Sequence, residues 1–272
     1  MTGVQTCALP IYLTYVCKLV FEETDMLPHA NPGTMARREI EALQPFNPSI
    51  GLMLESTSVA LYAVGGPHEF APSKRPRVRL RTLELAGELR VPFTTGILIG
   101  IGENRRDRIE SLIAIAELHA KYGHVQEVII QNFRAKPDTA MENSPDAETD
   151  EFLWTVAVAR LVLGPEANLQ VPPNLSAKNY QIYLDAGIND WGGVSPLTPD
   201  FVNPEAPWPA LTKLKTKTEA AGFQLRPRLP VYPEYFRGTK EFLPDSLAQK
   251  ASAMSDSEGY VAGGIQRYAG PI

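Results

Sequence analysis

Between Phe93 and Glu103 the chain reads FTTGILIGIGE, an apolar run that ends in Gly100, Ile101, Gly102 and Glu103. A strand that stops on bare backbone and one carboxylate delivers both to a sheet rim, where α/β barrels place their chemistry. Unsubstituted backbone admits a ligand closely, although a Gly-rich turn between a buried parallel strand and a helix is also ordinary α/β architecture. Other polar residues follow apolar runs in the same way: His29 and Asn31 in LPHANPG, Glu55 and Ser56 in LMLESTS, Asn132 and Arg134 in QNFRAKP, Asn174 in VPPNL, and Trp191 in DWGGVS. His29 can relay a proton, bond a substrate oxygen or cap a turn. Glu55 suits a ribose hydroxyl or a local donor. Arg134 suits a forked contact to a carboxylate or phosphate, or a surface ion pair.

The remaining histidines carry less. His68 in GGPHEF sits on a loop that can cover the mouth or simply face solvent, and His119 and His124 flank a helix end, where imidazole caps carbonyls. The chain has no H-E-x-x-H, no G-x-S-x-G and no Walker lysine. With so few side chains equipped for catalysis, a bound cofactor is expected to carry the hard chemistry.

The elements that must position these residues alternate. Strands are predicted at Met26–Gly33, Ile50–Glu55, Phe93–Ile101, Val125–Phe133, Leu169–Val171 and Trp191–Val194, with a seventh near Gln224–Val231. Helices are predicted from the stripe Leu13, Val16, Leu19 and Val20, over Arg77–Arg90 and Arg106–Tyr122, along Phe152, Val156, Ala159 and Leu163, and near Tyr180–Ala186. Repeated βα units without two-residue hairpin turns imply right-handed crossovers and a parallel sheet, most simply one bent toward a barrel. With 272 residues, 44% of them hydrophobic, the chain can fill one large core. A net charge of −5 and the lack of a basic run argue against nucleic-acid and acidic-membrane partners. Two cysteines, Cys7 and Cys17, supply neither a disulfide framework nor a metal-spaced thiol cluster, so no metal ligand is assigned and a cytoplasmic protein is the default.

Met1–Ile11 (MTGVQTCALPI) shows no periodicity of either kind and lacks a signal-peptide pattern. The string resembles a translated short-read sequencing adapter. Residues 1–11 are therefore expected to be non-native, 12–257 a barrel incomplete at its N-terminus, and 258–272, within a polar and Gly-rich stretch that begins at Ser255, a flexible tail.

The octet GILIGIGE resembles the fifth-strand motif of radical S-adenosylmethionine enzymes. Together with LPHANPGTM, LMLESTS, GGPHEFAPSK, HVQEVIIQNFRAKPDTAM, VPPNL and DWGGVSPLTPDFVNPEAPWP, it resembles the radical S-adenosylmethionine half of the synthases that make 8-hydroxy-5-deazaflavin, from about Tyr12 to about Ser257. The resemblance implies a (β/α) TIM-type barrel lacking its first βα units. It also implies a [4Fe-4S] cluster that cleaves S-adenosylmethionine to a 5'-deoxyadenosyl radical, and ring closure of a tyrosine-derived phenol/ribitylaminouracil adduct with loss of ammonia. By position Glu55, Ser56, Gly100, Gly102 and Glu103 would border S-adenosylmethionine, and His29, Asn31, Asn132, Arg134 and Trp191 would face the substrate. A companion radical half, separate or fused, is implied as well. The chain departs from that pattern in one respect: the Cys-x-x-x-Cys-x-x-Cys that holds the cluster is absent, so this polypeptide is expected to be inactive. A sibling radical enzyme, either the tyrosine–uracil joining half or a menaquinone-pathway enzyme, and a ligand-binding barrel without turnover are the alternatives.

Overall fold

The computed structural model describes residues 3–175, 180–195, 197–238 and 242–264. Five parallel strands lie in the order of the chain: β1 (His29–Ala30), β2 (Ser49–Gly51), β3 (Phe93–Ile99), β4 (Val125–Asn132) and β5 (Leu169–Gln170). Helices α1 (Gly3–Glu23), α2 (Arg37–Leu43), α3 (Pro76–Glu88), α4 (Arg105–Tyr122), α5 (Thr149–Leu163), α6 (Gln181–Asp185), α7 (Leu211–Ala220) and α8 (Asp245–Met254) complete the described elements. This is the α/β alternation expected, with the sheet as part of a barrel wall. None of the described helices is long and apolar enough to cross a membrane.

The β3–β4 ladder is the longest pairing, running from Phe93↔Val125 to Ile99↔Asn132. On β3, Ile97 and Ile99 point out into a core with Leu112 and Ile115 of α4 and Phe152 and Val156 of α5. The alternating positions Thr94, Gly96 and Leu98 face inward, as a period of two requires. A register shift between Phe93 and Thr94 leaves Gln126 as the extra residue and sets Glu127 opposite Thr94, so a carboxylate enters the barrel interior.

Local chemistry fixes the helix ends. Asn104 accepts the Arg106 and Asp107 N–H groups at 2.9 and 3.1 Å, Asp107 Oδ2 accepts the Asn104 N–H at 3.0 Å, and Gly123 closes α4 at φ 69°. The Arg160 guanidinium ties down the end of α5 by donating to the carbonyls of Gly164, Ala167 and Gly187 at 2.7–2.8 Å.

Four sequence expectations change. Trp191–Val194 forms no strand; the sixth position is an isolated bridge from Gln170 to Asp190, because Gly192 turns the chain at φ 73°. Gln224–Val231 forms no strand, since Pro227 and Pro230 remove two donors. The helix begins well before Leu13: α1 runs back to Gly3 through Pro10, so the stretch that lacks periodicity is helical. Residues 255–264 are not a loose tail. Ser255 bridges Val261 antiparallel, and Val261 is buried with Leu229, Tyr235 and Phe242 because it supplies the apolar contact that closes this cluster. Residues 265–272 lie outside the described part. Helices α2, α7 and α8 are additional to those expected.

A Cβ on Gly96 would stand 2.1 Å from the Ile129 carbonyl oxygen. Gly96→Ala is expected to lower unfolding stability by about 3 kcal/mol through forced separation of β3 and β4. Gly193→Ala, where a Cβ meets nothing within 4 Å, should be near neutral. Urea unfolding midpoints of the two variants check this.

Candidate active site

At the end of β3 the turn is built by its own carboxylate. Gly100 and Gly102 adopt φ 98° and 110°, and Glu103 accepts the N–H groups of Gly100 and Ile101 at 2.9 Å each. Arg108 Nε donates to the same carboxylate at 2.9 Å, and both side chains are buried. Glu103 therefore shapes the glycine turn from below rather than facing the mouth. Ala147 covers Gly100, where a Cβ would approach it to 2.8 Å, whereas Gly102 is open apart from Leu61 at 3.7 Å.

Glu55 follows β2 at φ 65° and bridges Ile97, which brings it beside that turn. Its carboxylate is encircled by Lys74 Nζ at 2.8 and 3.0 Å, Arg79 Nη1 at 3.2 Å and His68 Nε2 at 3.4 Å. Burial alone raises the carboxyl. The His68 hydrogen bond and the charges of Arg79 and Lys74 outweigh it and bring the group from 4.5 to about 2. Lys74 and His68 stand on the 57–75 loop, so Glu55 pins that loop across the rim. Ser56 is buried and accepts the Ser58 N–H at 3.1 Å. Of the expected nucleoside-facing set, Gly102 offers open backbone and Glu55 lies against β3 below it, whereas Ser56 and Glu103 are buried and Gly100 is covered by Ala147.

The expected substrate-facing residues divide. Asn132, at the end of β4, donates to the Leu175 carbonyl at 3.3 Å, and its buried Oδ1 has no partner. Arg134 lies farther out and pairs with Asp146 at the surface. Asn174 donates to Asp200 at 2.8 Å and to the Ala206 carbonyl at 3.0 Å. Trp191 is buried, donates from its indole to Thr218 Oγ1 on α7 at 3.1 Å, and meets Tyr180 edge-on.

His29 and Asn31 instead line a cavity of about 790 Å³ in the barrel interior, together with one edge of Trp191. The His29 ring is exposed to this cavity yet surrounded by protein. Nδ1 bonds Ser49 Oγ at 2.7 Å, and burial, then the Arg228 charge, lowers the imidazole to about 4, so it is neutral at pH 7. The base holds a network that sequence reading missed. Arg228 donates to Glu127 Oε1 at 2.5 Å and Asp190 Oδ2 at 2.6 Å, Tyr232 donates to Asp190 Oδ2 at 2.5 Å, and Thr94 donates to Glu127 Oε2 at 3.1 Å. Burial raises the Glu127 carboxyl, Arg228 opposes that, and Asp190 adds repulsion, leaving it at about 7. The available signal was a glutamate inside the apolar run VQEVII. No group of three or more His, Cys, Asp or Glu arranged to hold a metal occurs among the described residues.

Two outcomes follow for the rim. Because the Glu55 carboxyl is depressed on folding, its contribution is present above about pH 4.5 and is lost as pH falls toward 2. Glu55→Gln should flatten the acid limb of stability in denaturant titrations between pH 5 and 2. Glu103→Ala leaves two N–H groups without an acceptor and Arg108 with Glu151 as its remaining counter-charge, and should cost about 1–3 kcal/mol in urea unfolding.

No family model matches the chain. It is 52% identical over 249 residues to the 7,8-didemethyl-8-hydroxy-5-deazariboflavin synthase of Methanopyrus kandleri, covering 92% of this chain and 74% of that protein. It is also 52% identical over 248 residues to the FO synthase of Streptomyces coelicolor, covering 91% of this chain but 29% of that protein. Among solved structures, the [FeFe]-hydrogenase maturase HydG from Carboxydothermus hydrogenoformans aligns with TM-score 0.59 at 19% identity, over 79% of this chain and 51% of that one. Methylornithine synthase (PylB) aligns with TM-score 0.58 at 16% identity, over 79% and 63%. These two show the fold, a partial TIM-type barrel. Half of all residues shared across nine-tenths of the chain show the rest: it belongs to the 7,8-didemethyl-8-hydroxy-5-deazariboflavin (FO) synthase family.

Proposed function

We propose that this chain forms the nucleoside- and substrate-holding wall of a deazaflavin-forming radical enzyme, which closes the ring of a tyrosine-derived phenol/ribitylaminouracil adduct with loss of ammonia. The observation that carries the reading is the glycine turn after β3, held open at Gly102 by the buried Glu103 carboxylate and set beside Glu55. A turn of this kind fits the adenine and ribose of S-adenosylmethionine, because bare backbone allows close approach and exposes N–H and C=O groups. In a radical enzyme of this kind a [4Fe-4S] cluster with S-adenosylmethionine would supply the 5'-deoxyadenosyl radical. The chain's own residues shape the setting. Glu103 fixes the turn, Glu55 with Lys74 and His68 draws the 57–75 loop over the rim, and the buried sheet beneath excludes water.

The cluster itself does not fit the residues present. A three-cysteine site needs three thiolates converging on one point, and the sequence has two cysteines. Cys17 is buried on α1 in a core with Ile40, Leu43 and Phe93. No step is therefore assigned through a cluster, and the polypeptide as written is proposed to be inactive. The companion half that makes the adduct is a separate subunit or a fused domain; the differing shares of the two synthases that the chain spans, 74% and 29%, support both arrangements.

Anaerobic reconstitution with iron and sulfide tests the proposal. The chain should retain no stoichiometric iron and release no 5'-deoxyadenosine from S-adenosylmethionine under dithionite. Four irons per chain would contradict inactivity. Failure of S-adenosylmethionine to bind even weakly by calorimetry would contradict the nucleoside site.

A further inference from the structure

The barrel mouth is flanked by bulky apolar side chains that the fold holds out of its own core. Val59, Val64 and Phe70 on the 57–75 loop, and Leu197, Phe201 and Val202 on the 197–206 segment, are between 70% and 93% exposed. Both segments are tied down from beneath. Glu55 holds the first through Lys74 and His68, and the Tyr62 hydroxyl donates to the Lys74 carbonyl at 2.9 Å. In the second, the Asp200 carboxylate accepts the N–H groups of Val202 and Asn203 at 2.8 and 3.1 Å and the Asn174 amide at 2.8 Å, a turn with Phe201 in its middle. Apolar groups fixed in water in this way mark a contact face, and a face ordered in advance loses little entropy when it binds.

Geometry and charge select the occupant. The 57–75 loop follows β2, and the 197–206 segment follows Asp190, which bridges beyond β5. Four strand spacings separate β2 from that bridge, about 19 Å along the sheet, so a partner that covers both patches is a globular domain and not a short peptide. Between them, after β4, the 137–151 stretch contains six carboxylates and no cation. Asp146 and Glu151 pair with arginines, whereas Asp138, Glu142, Glu148 and Asp150 are exposed and meet no cation among the described residues. A second copy docked face to face would set this acidic lip against itself. An anionic lipid surface would be repelled in the same way. The complementary face is basic, with apolar contacts to either side. The FO synthases of which this chain spans 29% carry more than two-thirds of their length elsewhere, which is room for such a domain.

We infer that the mouth loops, with Phe70 and Phe201 as anchors on either side of the 137–151 lip, form the docking face for a basic surface of the companion half of the synthase. The inference rests on the deazaflavin reading, in which the companion supplies the adduct that enters at this mouth. Docking there shortens the path of the adduct and closes the rim to water.

Sedimentation velocity and a binding titration of this chain against a stand-alone companion subunit, in its natural full length, test the docking face. A one-to-one complex is expected. Phe70→Ser and Phe201→Ser should each weaken it at least ten-fold and keep the thermal unfolding midpoint, because neither side chain is buried. Leu161→Ser, as exposed as Phe201 but at the far end of α5, should bind like wild type. The wild-type complex should also weaken as salt is raised. No complex, phenylalanine variants that bind like wild type, a Leu161→Ser variant weakened as much as they are, or an affinity indifferent to salt would overturn the docking face. So would a dimer of this chain alone that Phe70→Ser dissolves. Calorimetry with S-adenosylmethionine separates the two readings. A chain that binds S-adenosylmethionine but not the companion loses only the docking face, and a chain that binds neither loses both.

Discussion

Everything at both ends of the barrel depends on how closely β3 and β4 approach. Gly96 lets the Ile129 carbonyl pass where any side chain would collide, and the three residue pairs above it carry Ile99 to the rim in register with Asn132. The bulge at the start of the same ladder sends Glu127 inward opposite Thr94. One strand pair therefore positions the glycine turn at the top and the carboxylate at the base. A one-residue slip would exchange the inward and outward faces and bury Thr94 and Glu127 among Leu112, Ile115 and Phe152.

Charge is handled differently at the two levels. At the rim, Glu55 is a single carboxylate among three cationic or potentially cationic partners, and the pairing pulls its proton affinity down. In the interior, Arg228 is a single guanidinium between two carboxylates, and the surplus negative charge, with burial, raises Glu127. Burying ions without partners is costly, so each cluster is nearly self-neutralised. The second cluster also has an architectural effect. It joins β4 and the bridge residue Asp190 to the 226–232 segment, 101 and 38 positions apart in sequence, which closes the underside of the sheet without a further strand.

Much of the fold was legible in the sequence because it is written locally. Apolar runs mark β3, α4 and β4 to within a residue or two, and FTTGILIGIGE marks the turn after β3. Three things were not legible. The Trp191–Val194 run looks like a strand, but the position of Gly192 against Gln170 is a tertiary fact that overrides β-propensity. The 255–264 stretch looks like a tail because its composition is polar, and only the long-range burial of Val261 orders it. The interior network joins Glu127, Asp190, Arg228 and Tyr232 from three separate segments. No spacing rule links them, so strand-end reasoning looked for chemistry only at the rim and placed His29 there too.

The carboxylates Glu55 and Glu103 show why strand-end position alone does not assign a role. Both end apolar runs and both lie beside the glycine turn. Glu103 is consumed by its own backbone and Arg108, so its oxygens organise the N–H groups that a ligand would otherwise find pointing at random. Glu55 is consumed by Lys74 and His68 of the 57–75 loop and by Arg79 of α3, and of these bonds the outermost, to Lys74, is the one that can exchange. Lys74 is one-third exposed and bonds the carboxylate from solvent's side, whereas Arg79 is fixed by the Ser73 carbonyl at 3.1 Å. A ligand hydroxyl that displaces Lys74 would leave Glu55 still paired with Arg79, at the cost of one partly screened contact. The same exchange at Glu103 would free two N–H groups and leave Arg108 paired with Glu151 alone. Of the two glutamates, the geometry therefore gives Glu55 the capacity to receive a ligand and Glu103 the task of holding still.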